Sequence, residues 1–225
     1  MKTTKHLALA IIISVTSLVV RPTSAQVTEP FTAAEREEIY AQTIEKRATN
    51  ILGALSLNDA AKIGRVRDAI KTQYRSLRAR DEALDTMFAS LANNAPGVAS
   101  NRGAVVRILS KQLHEQFVAK LSADLTPEQV EQVKDKMTYN KVKVTYDAYC
   151  QIVPKLTETE KAKILELLKA AREEAIDGGS ADEKTAIFQK YKDQINVVLD
   201  ANGHNVASAI KEWEARQEAT VSVSK

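Results

Sequence analysis

The chain has 225 residues, 44% hydrophobic and 27% charged, with one cysteine and a formal net charge of +3. A single cysteine excludes a disulfide framework within the chain, so a packed core must carry stability. The excess of base sits at the N-terminus. Without Lys2, Lys5 and Arg21, 29 basic residues face 29 acidic ones, and the electrostatic case for a nucleic-acid partner disappears.

Residues 1–25 have the three-part plan of a secretory signal peptide. Lys2 and Lys5 precede a 14-residue apolar run from Leu7 to Val20, and Thr23 and Ala25 stand where a signal peptidase reads small residues. The run is shorter than the roughly 20 residues that span a bilayer. The expectation is a protein exported to the periplasm or secreted, with no stable membrane span after cleavage. An uncleaved anchor is the rival reading.

Beyond residue 30 the apolar residues recur at three and four. Ile39, Ile44, Ala48, Ile51 and Leu55 predict an amphipathic helix over 31–55. A longer stripe, Ile63, Val66, Ile70, Tyr74, Leu77, Leu84, Phe88 and Leu91, predicts a helix over 58–91. Pro96 and Gly97 break it, and Val106, Leu109, Leu113 and Phe117 predict a third helix over 102–121. The short connection makes the second and third helices antiparallel neighbours. Shorter helices are predicted over 127–137, 146–152, 158–176, 181–201 and 206–217. Val142 and Val144 between the first two form the one strand-like alternation, too short for a sheet. The fold class is therefore all-α: a long antiparallel helical hairpin (about 31–122) with a C-terminal cluster of shorter helices (about 123–217), in one domain over 26–217. Residues 218–225 are expected as a disordered tail, and the hairpin is a candidate surface for a homodimer.

One phrase recurs: LSLNDAAKI at Leu55, LTPEQVEQV at Leu125 and LTETEKAKI at Leu156. Ser56, Thr126 and Thr157 are each followed three places later by Asp59, Gln129 and Glu160, the spacing of a capping box. Ser180 with Glu183 makes a fourth pair after Gly178-Gly179. The phrase starts helices. It also resembles the LTxxQ signature of small periplasmic chaperones, but its copies follow no fixed period.

Templates for chemistry are sparse. His114 and His204 fall in no metal-ligand spacing, and no Cys/His cluster exists, so neither metal nor cofactor is predicted. His114 reads as a packed core-edge histidine, Cys150 as a buried inert thiol, and Trp213 as core. The helix start after Gly178-Gly179 could hold an anion, although a capped restart explains it better. The densest signal is MTYNKVKVTYDAYC, which sets Tyr139, Tyr146 and Tyr149 within eleven residues of an aromatic-poor chain. Tyrosine joins an apolar ring to a hydroxyl, which suits a sugar face as well as a buried corner.

With these residues the chain resembles the domain of unknown function 3826 family. The resemblance is carried by GRVRDAIKTQYRSLRARDEAL, LTPEQVEQVKDKMTY with VTYDAY, LKAAREEAIDGGS and FQKYKDQIN, over roughly residues 35–213. One departure is Gly178, where alanine is expected. The resemblance implies an exported bacterial protein, encoded near polysaccharide-degrading enzymes, with a role in sugar binding. The partner it implies is an oligosaccharide or polysaccharide. Tyr139, Tyr146 and Tyr149 would stack on it, and Lys134, Arg172 and Asp177 would give charged hydrogen bonds, to an acidic sugar in particular. No catalytic residue is assigned. The alternatives are an enzyme acting on acidic polysaccharide (lyase or hydrolase), in which Arg172 with a tyrosine or His114 removes a proton beside a carboxylate, and an LTxxQ-type periplasmic chaperone.

Overall fold

The computed structural model describes residues 31–92, 102–153 and 155–223, with side chains described throughout except at 92 and 218–223. The predicted signal peptide and the tip of the hairpin lie outside the described residues. Eight helices run through the described residues: α1 Ala33–Leu52, α2 Ala60–Ala92, α3 Arg102–Ser122, α4 Pro127–Met137, α5 Lys141–Ile152, α6 Glu158–Ala175, α7 Ala181–Ala201 and α8 Val206–Val223. Contacts divide the chain into residues 1–38 and 39–225. In the first unit Thr32 caps α1, accepting the Glu35 N–H at 3.2 Å while the Glu35 carboxylate accepts the Thr32 N–H at 2.7 Å.

Ion pairs read out the hairpin register. Arg65 meets Asp124, Arg80 Nη1 donates to Ser110 Oγ at 2.8 Å, and Arg102 meets Asp85, so α2 and α3 run antiparallel as the stripes require. Pairs from Glu174 to Lys190 and from Glu160 to His204 set α6 and α7 antiparallel in the same way. Two apolar clusters result. Ile44, Val66, Ile70, Phe117, Leu121 and Val133 belong to the hairpin side; Tyr149, Ile164, Leu168, Phe188, Ile195 and Leu199 belong to the C-terminal side. Ile176, at the end of α6, is fully buried in the first cluster and so joins the two halves.

The caps explain where helices begin, with one correction. Thr126 and Thr157 form complete capping boxes with Gln129 and Glu160. Ser56 does not: it is left-handed at φ 49. Asp59 caps α2 instead, its Oδ1 accepting the N–H groups of Ala61 and Lys62 at 2.8 and 3.0 Å. The short aspartate cannot reach back as a Glu would, so it takes the cap itself.

The strand-like stretch is also corrected. α5 starts at Lys141, directly after α4 stops, and takes in both valines. Val142 is buried and Val144 is 63% exposed, because residues two apart fall on opposite sides of a helix as they do of a strand. The alternation could not tell the two apart. At the other end α8 continues to Val223, past the expected end at Gln217. Cys150 is partly buried and unpaired, and Trp213 is only half-buried.

Candidate functional site

Along α3, Arg107, Lys111 and His114 are spaced four and three residues apart, which puts their side chains on one face. That face forms a wall of a cleft of about 530 Å³. Asp177 and Gly178, from the turn that ends α6, and Glu174, Glu183, Ile187 and Lys190 complete it.

His114 is the hinge of the site. Its Nδ1 lies 3.1 Å from Asp177 Oδ2, and its Nε2 lies 3.7 Å from Glu173 Oε2. The hydrogen bond to Asp177 raises the imidazole pKa above 6.5 despite partial burial, and the charge of Glu173 adds to the effect. The two neighbouring carboxylates favour the charged form of the ring.

Behind His114 lies an ion network. Glu173 accepts from Lys134 at 2.8 Å and from Arg172 at 3.1 Å. Arg172 also meets Asp135 at 2.8 Å and contacts Glu131, and Lys134 meets Glu131 at 3.2 Å. Arg172 is 3% exposed and Lys134 8%. The carboxylates are more exposed than the cations, and removing them would strand a buried positive charge, which is costly.

The turn beneath the cleft depends on small residues. Arg80, itself buried, donates to the Asp177 carbonyl at 2.9 Å and holds Asp81 at 2.7 Å. A Cβ at Gly179 would come within 1.9 Å of Asp81 Oδ2, and one at Gly178 within 3.1 Å of Lys184 Cγ. The alanine expected at 178 would therefore press on a buried lysine. The α7 start needs no outside anion: Ser180 Oγ accepts the Glu183 N–H at 3.0 Å, and the Glu183 carboxylate accepts the Gly179 N–H at 2.8 Å. Lys184 donates to the carbonyls of Ala175 and Ile176 at the end of α6, and burial pulls its pKa down to about 8.

The family described as protein of unknown function (DUF3826) matches residues 41–219. The chain belongs to this family. No curated protein matches the sequence.

In this DUF3826 protein the matched span contains the whole cleft and all of the residues expected to bind a ligand. Of those, Asp177 lines the cleft, while Lys134 and Arg172 stand behind it. The three tyrosines are elsewhere and do not share one cavity. Tyr149 is buried, its hydroxyl donating to Asn196 Oδ1 at 2.7 Å beside a separate cleft of about 290 Å³. Tyr146 packs beside Cys150 against the C-terminal core. Tyr139 is 48% exposed at the end of α4. Sequence reasoning missed Arg107, Lys111 and Lys190. The four-and-three spacing that ends on His114 was the signal that could have found the first two; Lys190 lies on α7 and no local spacing ties it to them. Among the described residues no group of three or more His, Cys, Asp or Glu side chains could hold a metal, and no helix is long and apolar enough to cross a membrane.

Proposed function

We propose that this DUF3826 protein is an exported binding protein for an acidic oligosaccharide or polysaccharide, which it holds in the α3–α6–α7 cleft without covalent chemistry. The observation that carries the reading is the cationic row Arg107, Lys111 and His114 along one wall of a cleft whose other walls carry Glu174, Asp177 and Glu183. Cations meet the carboxylates or sulfates of the polymer, and carboxylates accept from its hydroxyls. Lys134 and Arg172 act at one remove, holding Glu173 against His114.

Binding is preferred to catalysis for a physical reason. An elimination beside a sugar carboxylate needs a base able to accept a proton. His114 has Asp177 3.1 Å from one ring nitrogen and Glu173 3.7 Å from the other, which favours its protonated form over a free base. The chaperone alternative loses its specific support, since the Leu-Thr-x-x-Gln phrase is spent on the α4 cap and on a bond from Gln129 Nε2 to the Leu55 carbonyl at 3.3 Å.

Calorimetric titration of the chain lacking residues 1–25 against acidic and neutral oligosaccharides tests the reading. Saturable heat with the acidic members is expected. No heat with any member of a broad panel at millimolar concentration would remove it. New absorbance from an unsaturated product would put the lyase alternative in its place.

A further inference from the structure

Helix α4 ends in a Schellman motif. The Asn140 N–H donates to the Asp135 carbonyl at 2.8 Å, and the Tyr139 N–H to the Lys136 carbonyl at 3.2 Å. The position after the cap must turn left-handed, and glycine does so without strain. In this chain it is Tyr139, at φ 59, followed by Asn140 at φ 55. Packing does not compensate, because the ring is 48% exposed. A bulky side chain held in strained backbone and left half in solvent breaks a local rule with no gain in stability, which is how functional positions betray themselves.

Tyr139 shares a cleft of about 140 Å³ with Arg47, Asn50, Ile51, Tyr74 and Lys136. Two of these residues are cations and none is an acid. The Arg47 guanidinium sits 5.2 Å from the centroid of the Tyr74 ring, which holds its charge at the cleft. Asp135, the acid nearest to Lys136 in sequence, is already engaged by Arg172 at 2.8 Å. Among the described residues neither Arg47 nor Lys136 has a carboxylate partner. Arg47 is partly buried and Lys136 exposed, so both can be reached from solvent. A space of about 140 Å³ admits a small oxyanion group and leaves the rest of its molecule outside, beside Tyr139.

We propose that this cleft binds a small oxyanion group (carboxylate, sulfate or phosphate) through Arg47 and Lys136, with the ring that bears the group laid on Tyr139. Arginine offers paired donors to two oxygens, and lysine a compact charge. The site is separate from the α3–α6–α7 cleft and does not rest on the function proposed for it.

The test follows the Tyr139 and Asn140 amide resonances while the protein is titrated with sodium acetate, sulfate, phosphate and phenyl phosphate, against sodium chloride at equal ionic strength. At least one oxyanion should give saturable shifts that chloride does not. Affinity should fall about tenfold in Arg47→Gln and in Lys136→Gln and stay unchanged in Lys169→Gln, an exposed position on α6 outside both clefts. Phenyl phosphate should bind more tightly than phosphate, and Tyr139→Gly should abolish that advantage while raising the melting temperature, since glycine suits the left-handed position. The proposal is overturned by chloride matching every oxyanion, by unchanged affinity in the Arg47 and Lys136 variants, or by a lower melting temperature for Tyr139→Gly, which would make the ring a structural part.

Discussion

His114 Nδ1 lies 3.1 Å from Asp177 Oδ2, and this contact ties the cationic face of α3 to the turn between α6 and α7. It also sets a pH dependence. The raised imidazole pKa means that the stability drawn from the pair is fully present below 6.5 and lost as pH rises through the higher folded value. Affinity for an acidic oligosaccharide should fall over the same interval by about fivefold, the loss of roughly 1 kcal/mol expected for one partly exposed charge. Titrations at a series of pH values should show this step in the wild type and none in His114→Gln.

Lys184 should reveal itself at higher pH. Burial lowers its pKa from 10.5 to about 8, so its charged form penalises the fold below about 8 and the penalty is relieved as pH climbs toward 10.5. At about 1.4 kcal/mol per pKa unit the relief is on the order of 3–4 kcal/mol at most. Denaturant unfolding of the wild type and Lys184→Met should give a stability difference that changes by that order across the interval. A constant difference would mean that the ammonium is not penalised.

Glu160 sits at the opposite end of the scale. The Thr157 N–H at 2.8 Å, together with Asn202 at 3.0 Å, the Thr157 hydroxyl and His204, holds its carboxyl down at about 2. A depressed carboxyl stabilises the fold fully above its ordinary 4.5, and the stabilisation is lost as pH falls through about 2. Glu160→Gln should be less stable than the wild type near neutrality, with the gap closing on acidification. Acid unfolding followed by circular dichroism measures it.

The repeated phrase can be tested copy by copy. Thr126→Ala removes a complete capping box and should cost about 1 kcal/mol. Ser56→Ala removes a hydroxyl that caps nothing and should cost close to none. Equal losses in thermal unfolding would mean that Ser56 has a role its left-handed backbone does not suggest.

Much of the fold was legible because helix starts and stops are local. Thr126 with Pro127, Thr157 with Glu160, and Ser180 after Gly178-Gly179 located the starts of α4, α6 and α7 to the residue. The start of α5 was hidden. Nothing in YNKVKV announces that two left-handed residues, Tyr139 and Asn140, let a new helix begin at once. The site was half legible for a related reason. Lys134, Arg172 and Asp177 do enter one connected set with His114, but which of them faces solvent depends on how α4 packs against α6. Proximity in sequence misled for the tyrosines: Tyr139 and Tyr149 belong to different cavities because a helix boundary lies between them.

On the proposed function, the Arg107–Lys111–His114 face of α3 receives an anionic polymer. The most direct measurement is the affinity of an acidic oligosaccharide, and of its neutral counterpart, for the wild type and for Arg107→Gln/Lys111→Gln. Neither side chain is buried in the core, so the variant should fold, and unchanged thermal unfolding checks that it does. Acidic-ligand affinity should fall at least about tenfold while neutral-ligand binding hardly changes. Wild-type affinity for the acidic ligand in the folded double variant would contradict it.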